Sequence, residues 1–327
     1  MEVNFTPFDE KKLIYLLQKG FPLTSRPFDE IAKHLQTEEK LVLEVLRSWQ
    51  KNGKLRQISA IFNPPALGHS SSLFAFKVPE KNLKKAESVI NAHPGVSHNY
   101  LRNHTYNFWF TLVVPPGMDL LKEAEYLLKE SGAEDFLYLP IIKVFKIAAV
   151  FDVESLNNFE ENPLENKDEI FPFSELDKNL VKLLQEPLPL VPEPFKVLAE
   201  KLGLKEEFIF EWLNNMKEKG ALRRFAGLFR HVKLGYKRNI MVAWLVPEER
   251  IVEVGQKLSK YTFITHCYLR RSYPHWPYNI YTMCHFKEEG FETIKNISQE
   301  LSLSEFLPLE TLRELKKIRL KLFYTKN

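Results

Sequence analysis

Two stretches of the chain carry residue types able to do chemistry on an anion: GVSHNYLRNHTYNFWFTL at 95–112 and FITHCYLRRSYPHWPYNIYTM at 263–283. Side chains of an extended strand alternate between its two faces. That alternation puts His98, Tyr100 and Arg102 on one face of the first stretch, and His266, Tyr268 and Arg270 on the same face of the second. An imidazole titrates near neutrality and can give or take a proton. A guanidinium binds carboxylate or phosphate through a planar fork. The opposite face of the second stretch, Thr265, Cys267 and Leu269, suits packing on helices.

The cysteines raise a second possibility. Cys267 and Cys284 face each other across an expected hairpin, with His266 and His285 adjacent. Neighbours along a strand point to opposite faces, so these four cannot form one tetrahedral ligand set, and buried structural thiols are the better reading. Two cysteines in 327 residues, behind an acidic N-terminus with no continuous apolar core, fit a reducing, cytoplasmic setting. No apolar run approaches the ~18 residues of a membrane span, so no membrane association is expected. The net charge is +4, unevenly placed: residues 152–175 hold eight acids against one lysine, a net of −7, leaving +11 on the rest. A basic body predicts an anionic partner: nucleic acid, or a small polycarboxylate or phosphate ligand.

The elements that position these residues come twice. At an offset of 167, Leu13, Phe28, Leu46, Gly53 and Arg56 match Leu180, Phe195, Leu213, Gly220 and Arg223. At 168, His98, Tyr100, Leu101 and Arg102 match His266, Tyr268, Leu269 and Arg270; after a four-residue insertion Tyr106 and Asn107 match Tyr278 and Asn279. Each repeat opens with three short helical patterns, near 8–19, 27–35 and 38–52 in the first, followed by an extended segment such as KLRQISAIFN. That reads as a winged helix-turn-helix. The remainder of the first repeat reads as strand 70–78, helix 80–92, strands 96–103 and 105–114, helix 118–131 and strand 135–150. This βαββαβ order is ferredoxin-like. The fold class is thus α+β, with helix-turn-helix domains at 1–60 and 175–228, ferredoxin-like domains at 61–151 and 229–327, and an acidic linker at 152–174. The two repeats are expected to pack as an intramolecular pseudo-dimer, their open sheet faces enclosing a cavity lined by His, Tyr, Arg and Trp.

A helix-turn-helix followed by βαββαβ resembles the Lrp/AsnC transcription regulators, and that resemblance covers each repeat nearly end to end. It implies DNA binding, but the residues argue against it. The third helical segments carry net charges of zero (38–52) and −1 (205–219), so carboxylates would meet phosphate. Closer motifs point elsewhere. SHNY-x-R-x-H-x-YN-x-WF-T in the first repeat, and THCY-x-R with WPYN-x-Y-x-M-x-H and upstream LRRFAGLFRH in the second, resemble the two subunits of siroheme decarboxylases. The chain looks like a fusion of the two.

The resemblance implies removal of CO₂ from two acetate side chains of sirohaem, giving didecarboxysirohaem for haem d1 or alternative haem biosynthesis. It implies no separate cofactor and no metal of the protein's own, since the iron belongs to the substrate; one histidine either ligates that iron or donates a proton. Sirohaem is a flat macrocycle carrying carboxylates, so it needs cationic clamps and apolar walls. The clamp candidates are Arg56, Arg102, Arg223, Arg224, Arg230, Arg238, Arg270 and Arg271. The wall candidates are Tyr100, Tyr106, Trp109, Tyr268, Trp276, Tyr278 and Met283. Proton transfer falls to His98 and His104, ahead of His266, His275 and His231. The alternatives are an Lrp/AsnC-type regulator and a non-catalytic tetrapyrrole-binding protein. A homodimer of the fused chain is a further level of assembly left open.

Overall fold

The structure, a computed structural model, describes residues 9–151, 158–160, 173–229, 238–288 and 290–325. The first repeat runs α1 (Glu10–Lys19), α2 (Pro27–Leu35), α3 (Glu39–Lys51), β1 (Leu55–Phe62), β2 (Ser70–Lys77), α4 (Leu83–Ala92), β3 (Val96–Arg102), β4 (Phe108–Val114), α5 (Leu120–Ser131), β5 (Asp135–Leu139) and β6 (Ile141–Phe151). A short β7 (Asn158–Glu160) pairs with β6 inside the stretch expected as linker; the rest of 152–172 lies outside the described residues. The second repeat runs α6 (Glu175–Leu184), α7 (Pro194–Lys201), α8 (Glu206–Glu218), β8 (Leu222–Phe229), β9 (Arg238–Trp244), α9 (Ile251–Lys260), β10 (Ile264–Arg270), β11 (Ile280–Phe286), α10 (Phe291–Glu300) and β12 (Phe306–Lys317). Asp9 caps α1 by accepting the Lys11 N–H, and a proline opens both α2 and α7. Gly53 and Gly220 follow α3 and α8 at φ 75° and 69°, a left-handed conformation that favours glycine. Among the described residues no helix is long and apolar enough to cross a membrane.

The compact units are not the two repeats. One unit takes the described residues of 1–68 and 166–233, both helix-turn-helix segments; the other takes those of 69–165 and 234–327. Like parts pair with like. In the helix-turn-helix unit, β1 lies antiparallel to β8, with Ile58 opposite Gly227 and Ala60 opposite Phe225. Among the described residues neither extended segment pairs with a strand of its own repeat. Each extended segment instead satisfies its backbone groups on the matching segment of the other repeat. Leu13, Leu17, Phe28 and Leu46 are fully buried with Leu180, Leu184, Phe195 and Leu213, and Phe21 stacks on Phe225 at 5.5 Å.

The second unit is one ten-stranded sheet in the order β5-β2-β4-β3-β12-β9-β11-β10-β6-β7. Its two ferredoxin-like quartets, β5-β2-β4-β3 and β12-β9-β11-β10, are joined by their last strands. The expected strand 135–150 breaks at Pro140, which has no N–H to give a ladder. Its first half, β5, pairs with β2 of its own repeat; its second half, β6, pairs with β10 of the other. β12 repeats this unbroken: Phe306–Glu310 pairs with β9, and Thr311–Lys317 crosses to β3. Leu139 and Ile141 belong to opposite ends of the sheet yet are two residues apart, so the sheet curls back on itself. That replaces the expected pair of separate facing sheets. Helices cover the outer surface: Ala86, Ile90, Ala124 and Leu127 on one quartet, Val254, Leu258, Ile294 and Ile297 on the other. Inside, residues of both repeats, including Trp109, Leu139, Met241, Trp276, Tyr281 and Leu309, form a third apolar cluster.

Candidate active site

The inner face of the curled sheet holds a cavity of about 390 Å³. The predicted alternation brings His98, Tyr100 and Arg102 from β3 into its lining, with His266, Tyr268 and Arg270 from β10. These form two half-sites. Each arginine is buried, at 2% and 8% exposure, and each is held by the other repeat. Arg102 donates from Nη1 to the Leu309 carbonyl at 2.6 Å, and Arg270 from Nη1 to the Leu139 carbonyl at 2.6 Å. Leu309 and Leu139 stand where the last strands turn from one quartet to the other, so the arginines fill matching positions. The Nε atom of each is buried without a partner among the described residues. Each guanidinium lies over the neighbouring tyrosine, Arg102 on Tyr100 at 5.3 Å and Arg270 on Tyr268 at 5.0 Å.

The electrostatics are those of an anion receptor. Burial lowers Arg102 and Arg270 to about 10, which leaves both cationic at neutral pH. Burial first, then Arg270, His98 and Lys146, push His266 down to about 4, so its imidazole is neutral in the empty cavity. Burial raises the Tyr100 hydroxyl to about 12. Lys317, on the crossing half of β12 opposite His98, adds a third cation, paired with Glu314 outside the lining at 3.5 Å; the matching residue opposite His266 is Ile147. No carboxylate is among the described lining residues, and the floor is Trp109, Met241 and Tyr281.

Among the described residues no group of three or more His, Cys, Asp or Glu is placed to hold a metal. Cys267 and Cys284 are buried in the core under the second quartet, and burial raises both thiols to about 12.

Residues 10–56 and 177–223 match the siroheme decarboxylase NirDL-like HTH domain, and 66–146 and 233–316 match the AsnC-like ligand binding domain. A siroheme decarboxylase of Hydrogenobacter thermophilus is 37% identical over 318 residues, 95% of this chain and 94% of that one. The chain belongs to the siroheme decarboxylase family. The crystal structure of the siroheme decarboxylase NirDL in complex with an iron-uroporphyrin III analogue is similar at a TM-score of 0.78 and 32% identity, covering 96% of this chain and 94% of that one. The siroheme decarboxylase beta subunit of Oleidesulfovibrio alaskensis is 36% identical over 154 residues, 46% of this chain and 98% of its own length. This member of the family thus carries in one chain what that relative carries in a separate subunit.

Within this siroheme decarboxylase fold, other expected site residues fall elsewhere. His104, expected as a proton donor, is not among the lining residues. Its Nδ1 accepts the Tyr106 N–H, its ring stacks on Tyr106, and Trp276 meets it edge-on at 5.2 Å. Tyr106 and Tyr278, expected as walls, are braces: their hydroxyls donate to Asp135 at 2.6 Å and Glu305 at 2.8 Å, pinning the hairpins to the last strands. Trp276 packs in the inner apolar cluster and donates to the Tyr281 hydroxyl at 2.6 Å. His275 stacks on Tyr273 outside the lining, in the inserted turn. Arg271 lies over Tyr138, and Arg238 begins β9. Arg56, Arg223 and Arg224 belong to β1 and β8 of the helix-turn-helix unit, where Arg223 donates to Asn63. Arg230 and His231 lie outside the described residues.

The lining also holds Thr111, Asn239, Tyr281 and His285. Carrying the alternation on to β11 gives Tyr281, Met283 and His285 on one face, so His285 was findable. Lys317 was not, because nothing local announces that β12 crosses to the other quartet.

Proposed function

We propose that this chain removes CO₂ from two acetate side chains of sirohaem, leaving a methyl group at each position and giving didecarboxysirohaem for haem biosynthesis. One observation carries this reading: an apolar floor beneath three cations and three imidazoles, with no carboxylate among the described lining residues. Such a cavity suits a flat macrocycle bearing many carboxylates. The iron arrives with the substrate, and both half-sites belong to a single chain.

Arg102 and Arg270 hold carboxylates in a fixed orientation from opposite sides, aided by Lys317. Breaking the bond between an acetate CH₂ and its carboxylate carbon releases CO₂ and leaves the electron pair on the CH₂, where the conjugated ring spreads it. A proton then closes the methyl group. His98 and His266 are the imidazoles that the strands bring into the cavity, and they take the donor role; His104 supports the hairpin beside them. His266, held down to about 4 by burial and the cations around it, is neutral at neutral pH.

The test uses His98→Ala and His266→Ala. General acid help is worth about 10²–10⁴ in rate, so each variant should bind sirohaem with the wild-type Soret band yet lose turnover by about that factor. Full activity in both would overturn the assignment.

A further inference from the structure

The histidine of the second half-site is part of a chain of three groups. The Thr265 hydroxyl lies 2.9 Å from Nδ1 of His266 and 3.0 Å from Nε2 of His285. A hydroxyl has one proton to give. It donates to one ring at most, the Met283 carbonyl at 3.4 Å being its other acceptor, and a ring it does not donate to must donate its N–H to the hydroxyl oxygen. When His266 accepts the Thr265 proton at Nδ1, His285 must therefore donate from Nε2. With Nδ1 of His266 tied to Thr265, its Nε2 is the nitrogen left for the cavity, which both rings line.

The first half-site lacks this chain. There the Ser97 hydroxyl lies 2.9 Å from Nδ1 of His98, but among the described residues no second imidazole bonds to that hydroxyl. Register shows why. His98 stands opposite Thr111 and His266 opposite Met283, so the position of His285 is taken by Val113. His285 faces Asn239 across β9 and Thr265 with His266 on β10; the charged groups of the lining are Arg102, Arg270 and Lys317.

We infer that His285 and Thr265 form a proton relay that serves His266 in one of the two decarboxylations. This rests on the function proposed above. A protonated His285 donates Nε2–H to the Thr265 oxygen, and Thr265 donates its own proton to Nδ1 of His266. That leaves the proton of His266 on Nε2, facing the substrate. When CO₂ has left, the carbanionic CH₂ takes the Nε2 proton and a C–H bond forms. In the same movement the Thr265 proton passes to Nδ1 of His266, and the His285 proton passes to the Thr265 oxygen. His266 never becomes an anion. The net change is one proton moved from His285 to the new methyl group, with His285 left neutral. Water resets both rings once product leaves the cavity. His285 acts through another residue, so it is a positioning residue for His266.

The test follows the masses of the tetrapyrroles during anaerobic turnover by the full chain. Thr265→Val and His285→Gln should each slow one of the two steps by about a hundredfold, the lower end of general-acid help, with KM little changed. The mono-decarboxylated intermediate should then accumulate. Thr265→Ser keeps the hydroxyl and should restore wild-type progress. The double variant should be no slower than Thr265→Val alone, because both changes break one chain. Complete conversion by Thr265→Val without the intermediate would overturn the relay, as would a Ser variant as slow as Val, or losses that multiply in the double variant. A wild-type chain that releases no CO₂ would instead overturn the decarboxylase reading itself.

Discussion

Arg102 and Arg270 are struts and, in the function proposed above, also receptors. Their Nη1 atoms satisfy main-chain carbonyls at the strand crossings, and the remainder of each fork is available to the cavity. Arg102→Ala should leave the Leu309 carbonyl unpaired and cost about 1–3 kcal/mol of stability. It should also remove a charge-assisted contact worth about 1.5–3 kcal/mol, weakening sirohaem roughly tenfold or more. Arg270→Ala should behave alike, since it is the matching residue. Titration of the Soret band together with thermal melting checks both; unchanged affinity in both variants would exclude a clamp role. A second expectation concerns pH. His266 has a pKa of about 4 in the folded, substrate-free chain against an ordinary 6.5. Between these values the unfolded chain binds more protons, so stability rises with pH there and falls as pH drops from 6.5 towards 4. Denaturant melts of His266→Gln across that window should show a shallower loss than the wild type; identical slopes would contradict it. At this scale the sequence was legible where alternation along one strand decides which way a side chain faces, as for His98, Tyr100 and Arg102. It misled where a hairpin residue could turn either way. Tyr106 and Tyr278 share a motif and do share a role, but the role is to hold a carboxylate at the start of a last strand, which depends on where Asp135 and Glu305 fall.

The helices that would read DNA in a regulator are engaged within their own unit. Glu39, in the first turn of α3, pairs with Arg26 at 2.5 Å, and Glu206, in the first turn of α8, accepts the Ser25 hydroxyl at 2.7 Å. Recognition helices present these first turns to base edges. Arg47 of α3 donates to the Leu190 carbonyl at 2.7 Å. Replacing Arg47 and Lys51 together by Ala should therefore leave decarboxylation intact and cost about 0.5–1.5 kcal/mol for the lost hydrogen bond. Activity assays and denaturant melts of the double variant check this, and a specific DNA affinity lost in that variant would restore the regulator reading. Element types and order were legible because helix and strand periods differ and the caps are explicit: Asp9, Pro27, Gly53 and Gly220 stand where the helices begin and end. The crossing of the last strands was not. Whether residues 141–151 pair with their own quartet or with the other is decided by strand edges far away in the chain, and Pro140 marks only the break.

On the scale of the whole molecule, the repeat gives two half-sites, and their differences matter as much as their likeness. Both arginines hold to the opposite repeat, so neither half-site is complete without the other. Lys317 stands against Ile147, and His285 against Val113, giving a pseudo-symmetric cavity two chemically distinct ends for one asymmetric substrate. The central claim is that this cavity decarboxylates sirohaem and does more than bind it. Incubating the full chain with sirohaem in the absence of oxygen, and weighing the tetrapyrrole over time, tests that most directly. The account predicts two successive losses of the mass of CO₂, ending at didecarboxysirohaem. A shifted Soret band with the tetrapyrrole's mass unchanged would contradict it.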